Sequence, residues 1–515
     1  MTSTARRSFS STTLPLVLLA GTFAACSERA VSSAPVDGPA IDWDAELTGL
    51  VDRAMVEEHV PGAAVVVVQA GETVYQRGFG VADVRSAAPV DPETTIFRIG
   101  SITKTMTCFA LTHLADQGKL SLEDPVSRYV PEIDDIPNVS GSDEPLLLRH
   151  LVTHTSGLDQ IGLDRHVWEL ELSIEERQAL RPSLREFLFD GNLRRTSPPG
   201  KHFRYDTYGT TLAGLVVEVV TGKPYGEAMV EALFEPAGMT GAGVALSRRS
   251  TGNMAVGHGW VDGEYGVAPY EVYVTQPASS VDATAADMAS LLRQMTTSGD
   301  SPLFSAVTKE AVLAPQFRPH PGFSGATHGL QEFQRAGGRD GGLVRGVGHG
   351  GTMLGFRSNL MFLPEFDAAI FVTVNRNREA GGDGVTVDRQ VVVRVAELLS
   401  GGRETLYPAA QPPPADAEIP YDDYVGRFAY GIFCKTCTPE EFERGAWEPF
   451  SFLEVRRVEG GLTARDITYR PTAEEDVFQS EDHARRLFFH RDAAGVVQTV
   501  SFAGSPDTFE RLAQG

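Results

Sequence analysis

Strand-like apolar runs stand at both ends of residues 41–400, with helix-like stretches between them. Near the start, Ala63–Gln69 carries four consecutive valines, Val65 to Val68. A second run, Thr73–Gly78, follows across the short turn Ala70-Gly71-Glu72, which is the pattern of a hairpin with a central strand. Near the end, Leu360–Leu363 and Ala368–Asn375 read as another strand pair, followed by a helix around Val387–Leu399. Between them the periodicity predicts a helix from about Ser101 to Gln117, stopping at Gly118. A second is predicted over Thr210–Thr221, closed by Gly222 and then Pro224. One sheet can collect these strands only if the two ends of the stretch meet. The pattern therefore predicts an α+β fold whose antiparallel sheet joins them. No run approaches the ~18 uninterrupted apolar residues needed to span a bilayer.

The texture changes at both margins of that stretch. Tyr407–Pro420, with Pro412-Pro413-Pro414, reads as a stiff linker. Beyond it, Phe450–Val458, Leu487–His490 and Val496–Phe502 are short β-rich runs split by Gly-containing turns, which suggests a small all-β, barrel-like domain. At the other margin Arg6 and Arg7 precede the apolar run Leu14–Ala20 and then small residues up to Cys26. A charged start, a short apolar centre and a small-residue site read as an export signal over 1–25, followed by a flexible linker over 26–40. Phe23-Ala24-Ala25-Cys26 is similar to a bacterial lipobox, making Cys26 the candidate lipidation site, with plain secretion as the alternative. The expected location is periplasmic, membrane-anchored through that lipid, or secreted. The expected organisation is signal 1–25, linker 26–40, main domain 41–402, Pro-rich linker 403–420 and β-rich domain 421–515.

Composition removes several function classes. With 45 Lys+Arg against 68 Asp+Glu, the net charge of -23 argues against a surface for nucleic acid or anionic lipid, which needs clustered cations. Four cysteines in 515 residues exclude a disulfide-built scaffold. Cys434 and Cys437 are expected to form a local disulfide, and Cys108 to be a small buried residue.

The stretch Phe97-Arg98-Ile99-Gly100-Ser101-Ile102-Thr103-Lys104-Thr105 carries the chemistry. Ser101 and Lys104, three apart, share one face of a helix. A serine hydroxyl attacks poorly unless a base takes its proton, and a lysine amine serves once burial lowers its pKa from ~10.4. A serine at a helix N-terminus also sits where the dipole favours oxyanion charge. The spacing alone fits an ordinary helix start equally well.

The surrounding text resembles the serine β-lactamase and penicillin-binding-protein-like family, of the class C β-lactamase and D-alanyl-D-alanine carboxypeptidase type. Ile96-Phe97-Arg98-Ile99 precedes the motif and Gly118-Lys119-Leu120-Ser121-Leu122-Glu123-Asp124-Pro125 follows it. A further block is Leu148-Arg149-His150-Leu151-Val152-Thr153-His154-Thr155-Ser156-Gly157-Leu158. The resemblance covers about 45–400. It implies a β-lactamase/transpeptidase-like sheet flanked by helices, with an all-helical subdomain. It also implies an exported serine hydrolase working through an acyl-enzyme on an amide, lactam or ester carbonyl.

By that resemblance the family's Tyr-x-Asn motif falls on Tyr205-Asp206-Thr207, so Tyr205 supplies the phenol and Thr207 stands where Asn is usual. Thr has one short hydroxyl where Asn offers a donor and an acceptor, so efficient β-lactam turnover is not expected. The third motif falls on His349-Gly350-Gly351, with the backbone amides of Ser101 and Thr352 forming the oxyanion hole and Gly351 allowing close approach of substrate. The family block makes His150 and His154 structural; their spacing lacks the Glu of zinc proteases. No cofactor or metal is implied. The expected partner is a small-molecule or peptide substrate, with membrane contact only through the N-terminus and the oligomeric state open. The alternative is a binding or sensor protein that keeps the fold and turns over little. A third reading makes 421–515 the functional part, an adaptor or substrate-gating module.

Overall fold

The computed structural model describes residues 41–159, 166–167, 173–191, 193–247, 253–319, 324–336, 343–377, 386–401, 410–430, 452–481, 485–492, 494–502 and 508–511. The export segment with Cys26, and the pair Cys434 and Cys437, lie outside the described residues, as does part of the stretch 159–197. Among the described residues no helix is long and apolar enough to cross a membrane.

The two ends of the main stretch meet in a seven-stranded antiparallel sheet. Its order is Gln331–Ala336, Leu343–Met353, Phe356–Leu363, Ala368–Val374, Gly62–Gln69, Glu72–Asp83 and Ala88–Pro89. The valine strand lies between one early and one late neighbour: Val66 faces Phe371 on one side and Gln76 on the other. Strand side chains alternate between faces, so an unbroken apolar run needs a core on each. Ala64, Val66 and Val68 join one hydrophobic cluster, and Ala63, Val65 and Val67 join another. Burying each valine contributes roughly 1.5–3 kcal/mol, which pins the register, because a slip by one would exchange the two cores.

The helices Trp43–Glu57 and Val387–Ser400 cover one face through Trp43, Leu47, Val51, Val391 and Val395. The other face carries Ile102–Asp116, Thr207–Thr221 and Ala285–Thr296, with the short helices Leu148–Val152, Leu184–Leu188 and Tyr225–Met229 gathered around them. A three-stranded sheet of Ile96–Arg98, Val281–Thr284 and Gly243–Val244 leads directly into the helix that follows Ser101.

Two boundaries differ from the sequence expectation. The hairpin turn is Ala70-Gly71, with φ of 50° and 80°, so Glu72 already belongs to the strand. The helix expected from Thr210 begins at Thr207, because the Asp206 carboxylate accepts the Gly209 N–H at 2.6 Å and caps an earlier first turn.

The C-terminal strands close on themselves. Eight antiparallel strands run from Gly426–Tyr430 to Thr508–Arg511, and the first pairs with both Phe452–Val458 and the last. Phe428, Leu453, Val455, Leu462, Tyr469 and Phe489 pack inside, so the barrel is filled by side chains. Part of the Pro-rich stretch lies along it: the Ala473 N–H donates to the Gln411 carbonyl at 2.7 Å.

Candidate active site

Gly100, with φ of 58°, turns the chain out of Ile96–Arg98 and leaves Ser101 as the residue before the helix Ile102–Asp116. The segment abuts the strand Leu343–Met353. A Cβ on Gly100 would lie 2.8 Å from the Thr352 nitrogen, and one on Gly351 would lie 1.9 Å from the Ile99 carbonyl oxygen. Glycine at both positions is what lets the backbones meet. The neighbouring strand Gln331–Ala336 pairs only as far as Gly348, so it leaves the His349–Met353 edge uncovered. Ser101, Gly351 and Thr352 therefore converge at the part of the strand that this neighbour leaves unpaired.

Below that edge the Lys104 ammonium donates to Ser101 Oγ at 3.3 Å and to the Ala278 carbonyl at 3.0 Å. Lys104 is 2% exposed. Burial pulls its pKa down to about 7, while the nearby Asp206 charge pushes the other way. The helix that carries it is fixed by Thr103, whose hydroxyl accepts the Val281 N–H at 2.9 Å. Ser101 itself is half-buried.

Tyr205 lies with its ring 4.7 Å from the Lys104 nitrogen. Its ring centroid is 5.2 Å from that of His154 and 5.6 Å from that of His349. Hydrogen bonds assign the two imidazoles opposite tautomers. The Asp206 N–H donates to His154 Nδ1 at 3.1 Å, and burial holds His154 neutral, so its proton sits on Nε2. His349 Nδ1 donates to the Gly350 carbonyl at 2.6 Å, and burial lowers its pKa to about 4, so its Nε2 carries a lone pair. The ring of Tyr205 thus lies beside two neutral imidazoles of opposite tautomer.

Asp206 is the residue that sequence reasoning missed. It is 2% exposed, and burial raises its carboxyl to about 6 against the Gly209 N–H, the Ser156 hydroxyl and the charges of Lys104 and Arg204. Its only signal was residue type: Asp is a favoured N-cap, but Thr207-Tyr208-Gly209 separates it from the periodic run that begins at Thr210. Thr207, by contrast, is the buried first residue of the helix, and its carbonyl accepts the Thr211 hydroxyl. The hydrogen bonds of Lys104 go to Ser101 and Ala278, and its charge partner is Asp206.

Two supports complete the site. His150 Nδ1 accepts the Leu147 N–H at 3.2 Å, and its ring fills the space beside Gly200, where a Cβ would come within 3.1 Å. Both contacts hold the local chain path. Buried Arg98 donates to the Glu271 carbonyl at 2.8 Å and stacks 3.9 Å over Tyr270. The Glu271 carboxylate accepts the Leu354 N–H at 3.0 Å. This brace ties the strand before Ser101 to the turn after Thr352.

The family model described as Beta-lactamase matches residues 47–393. Esterase EstB from Burkholderia gladioli is 34% identical over 229 residues, which is 41% of this chain and 56% of that protein. The chain thus spans about half the length of that relative. Among solved structures, the octameric penicillin-binding protein homologue from Pyrococcus abyssi has a TM-score of 0.57 at 21% identity, covering 91% of this chain and 100% of that one. SurE with D-Leu has a TM-score of 0.60 at 23% identity, covering 90% and 98%. Both share the fold.

Proposed function

Since the chain belongs to the beta-lactamase family, we propose that it is a serine hydrolase that cleaves ester carbonyls through an acyl-enzyme on Ser101. One observation carries the reading: a buried lysine amine with a pKa of about 7 lies 3.3 Å from the hydroxyl it would deprotonate. Neutral Lys104 takes the Ser101 proton as Oγ attacks the carbonyl carbon. The amides of Ser101 and Thr352 hold the resulting oxyanion at the open strand edge. Collapse breaks the bond to the alcohol oxygen, which leaves with a proton from Tyr205 or Lys104. Water then attacks the acyl carbon, giving up its proton to the same groups, and the carboxylic acid departs as Ser101 is restored. Ester preference over lactams rests on the likeness to an esterase and on Thr207 standing in the place of Asn.

Purified protein is expected to be labelled covalently by a fluorophosphonate, and labelling to vanish in Ser101→Ala. Equal labelling of the variant would refute the assignment. A second reading, a binding protein with little turnover, draws on the same Thr207. A penicillin adduct that persists while a panel of esters, lactams and D-amino-acid peptides goes unhydrolysed would select it.

A further inference from the structure

His154 lies outside the three motifs that carry the chemistry, yet it touches four consecutive residues of the second. It stands in the block Leu148–Leu158 and is 1% exposed. Its carbonyl accepts the Arg204 N–H at 2.8 Å, and its Nδ1 accepts the Asp206 N–H at 3.1 Å. Its ring meets Phe203 edge-on, with centroids 5.7 Å apart, and lies tilted beside Tyr205. Both backbone amides that flank Tyr205 are therefore tied to this one residue. His154 keeps the place against two costs. Its φ of 55° lies in the left-handed region, which residues other than glycine seldom take. Its Nε2, the nitrogen that carries the proton, is closed off with no hydrogen-bond partner among the described residues. Glycine would avoid both costs, so what the imidazole adds is the grip on the second motif.

We infer that His154 is a positioning residue for departure of the leaving group: by tying the amides on both sides of Tyr205, it holds the phenol where its proton reaches the departing alcohol oxygen. The inference rests on the serine hydrolase reading above and adds a residue to it. The Tyr205 ring lies 4.7 Å from the Lys104 nitrogen, so phenol and amine share one end of the site. As the tetrahedral intermediate collapses, the bond from carbon to alcohol oxygen breaks and that oxygen takes the phenol proton. The phenolate regains a proton from the Lys104 ammonium, which holds the one taken from Ser101. Such a transfer needs hydrogen-bond reach, and a misplacement of about 1 Å costs on the order of 10²-fold. Ser101 and Lys104 belong to the start of the helix Ile102–Asp116, and Thr352 belongs to the strand Leu343–Met353. Loss of the grip on Tyr205 therefore falls first on proton delivery, not on attack or on the oxyanion.

The test compares ethyl acetate with p-nitrophenyl acetate, which share an acyl group. Ethoxide is strongly basic and leaves only with a proton, whereas p-nitrophenolate leaves without one. The readout is the ratio of kcat/KM for the ethyl ester to that for the p-nitrophenyl ester, taken within one preparation so that partial unfolding cancels. His154→Gly suits the positive φ and drops the Nδ1 acceptor, and the ratio is expected to fall roughly 10–100-fold. His154→Asn also suits that φ, and its Oδ1 stands close to where Nδ1 accepts the Asp206 amide, so it is expected to recover most of the loss. Where the glycine variant does not fold, His154→Gln takes its place with the same expectation, because its amide oxygen lies farther out, near the position of Nε2. An unchanged ratio in the variant without the grip, or equal ratios in that variant and His154→Asn, would overturn the role of His154 and leave the hydrolase reading standing. Wild type that cleaves neither ester would refute the hydrolase reading, and this role with it.

Discussion

Replacing Lys104 by methionine separates what the buried amine costs from what it does. The side chains have similar length, so packing changes little. The folded-state pKa of Lys104 stands at about 7 against the ordinary 10.5. Above about pH 10.5 the amine is neutral in both folded and unfolded chains and costs nothing. As pH falls, the unfolded chain binds a proton that the folded one does not, and folding loses ~1.4 kcal/mol per unit. Below about pH 7 both forms are charged and the loss is constant, near ~5 kcal/mol. Methionine escapes that loss but gives up the hydrogen bonds to Ser101 and Ala278, about 1 kcal/mol each. The variant is therefore expected to be more stable than wild type by about 2–3 kcal/mol near pH 7, equal near about pH 9, and less stable by about 2 kcal/mol above about pH 10.5. Urea unfolding read by the fluorescence of core residues such as Trp43 measures this, while ester hydrolysis falls about 10²–10⁴-fold. Two stability curves that stay parallel across that pH range would refute the reasoning, because a lysine with an ordinary pKa gives no such slope.

The pH dependence of catalysis tests the partner of the amine. Wild-type kcat/KM is expected to rise with pH through about 7, as Lys104 loses its proton. Asp206→Asn keeps a cap for the Gly209 amide but removes the charge that holds the lysine pKa up, so the rising limb should move to lower pH; an unmoved limb would mean that Asp206 only caps the helix. Thr207→Asn restores a donor and an acceptor at that position, and the ratio of nitrocefin to p-nitrophenyl ester hydrolysis is expected to rise about tenfold, ~1.4 kcal/mol of transition-state preference. An unchanged ratio would remove Thr207 as the source of substrate preference. The reading of 421–515 as a substrate-gating module has an electrostatic route to act through. The Val496 N–H and Gln498 hold the Asp492 carboxyl below its usual range, and the charge of Lys201, four residues before Tyr205, adds to the effect. Lys201→Glu sets like charges there, so KM for bulky esters should change with kcat for the smallest esters intact; equal KM values would leave the barrel without a gating role.

Much of the fold is legible because its determinants are local. A run of valines with a turn after it is satisfied by a strand covered on both sides, and the other strand pair that the sequence pattern shows in the stretch lies about three hundred residues away, so a shared sheet brings the ends together. Cys108 likewise follows from its place on the catalytic helix; it is buried, and burial raises its thiol to about 12. The start of Thr207–Thr221 was misplaced by one turn because periodicity reports where a helix becomes amphipathic, whereas the cap reports where its hydrogen bonds begin. Thr207, Tyr208 and Gly209 are buried on arrival and add no alternation for a pattern to detect.

The site divides along the same line. Ser101 and Lys104 could be paired from spacing alone, since one helix turn brings them together, but nothing within that turn sets the proton affinity of the amine. Three separate segments do so: the helices that bury it, the Ala278 carbonyl from the turn after Gln276, and Asp206 at the mouth of another helix. An aspartate at a helix start ordinarily faces water, and this one is inside, with the Ser156 hydroxyl from the block Leu148–Leu158 donating to its carboxylate. His154 from that same block accepts the Asp206 amide and packs, tilted, against the ring of Tyr205. The block that looked structural in sequence is therefore what holds the second motif against the first. Its glycine is part of the fit, since a Cβ on Gly157 would lie 2.0 Å from the Ser197 carbonyl oxygen, across the stretch that leads to Tyr205.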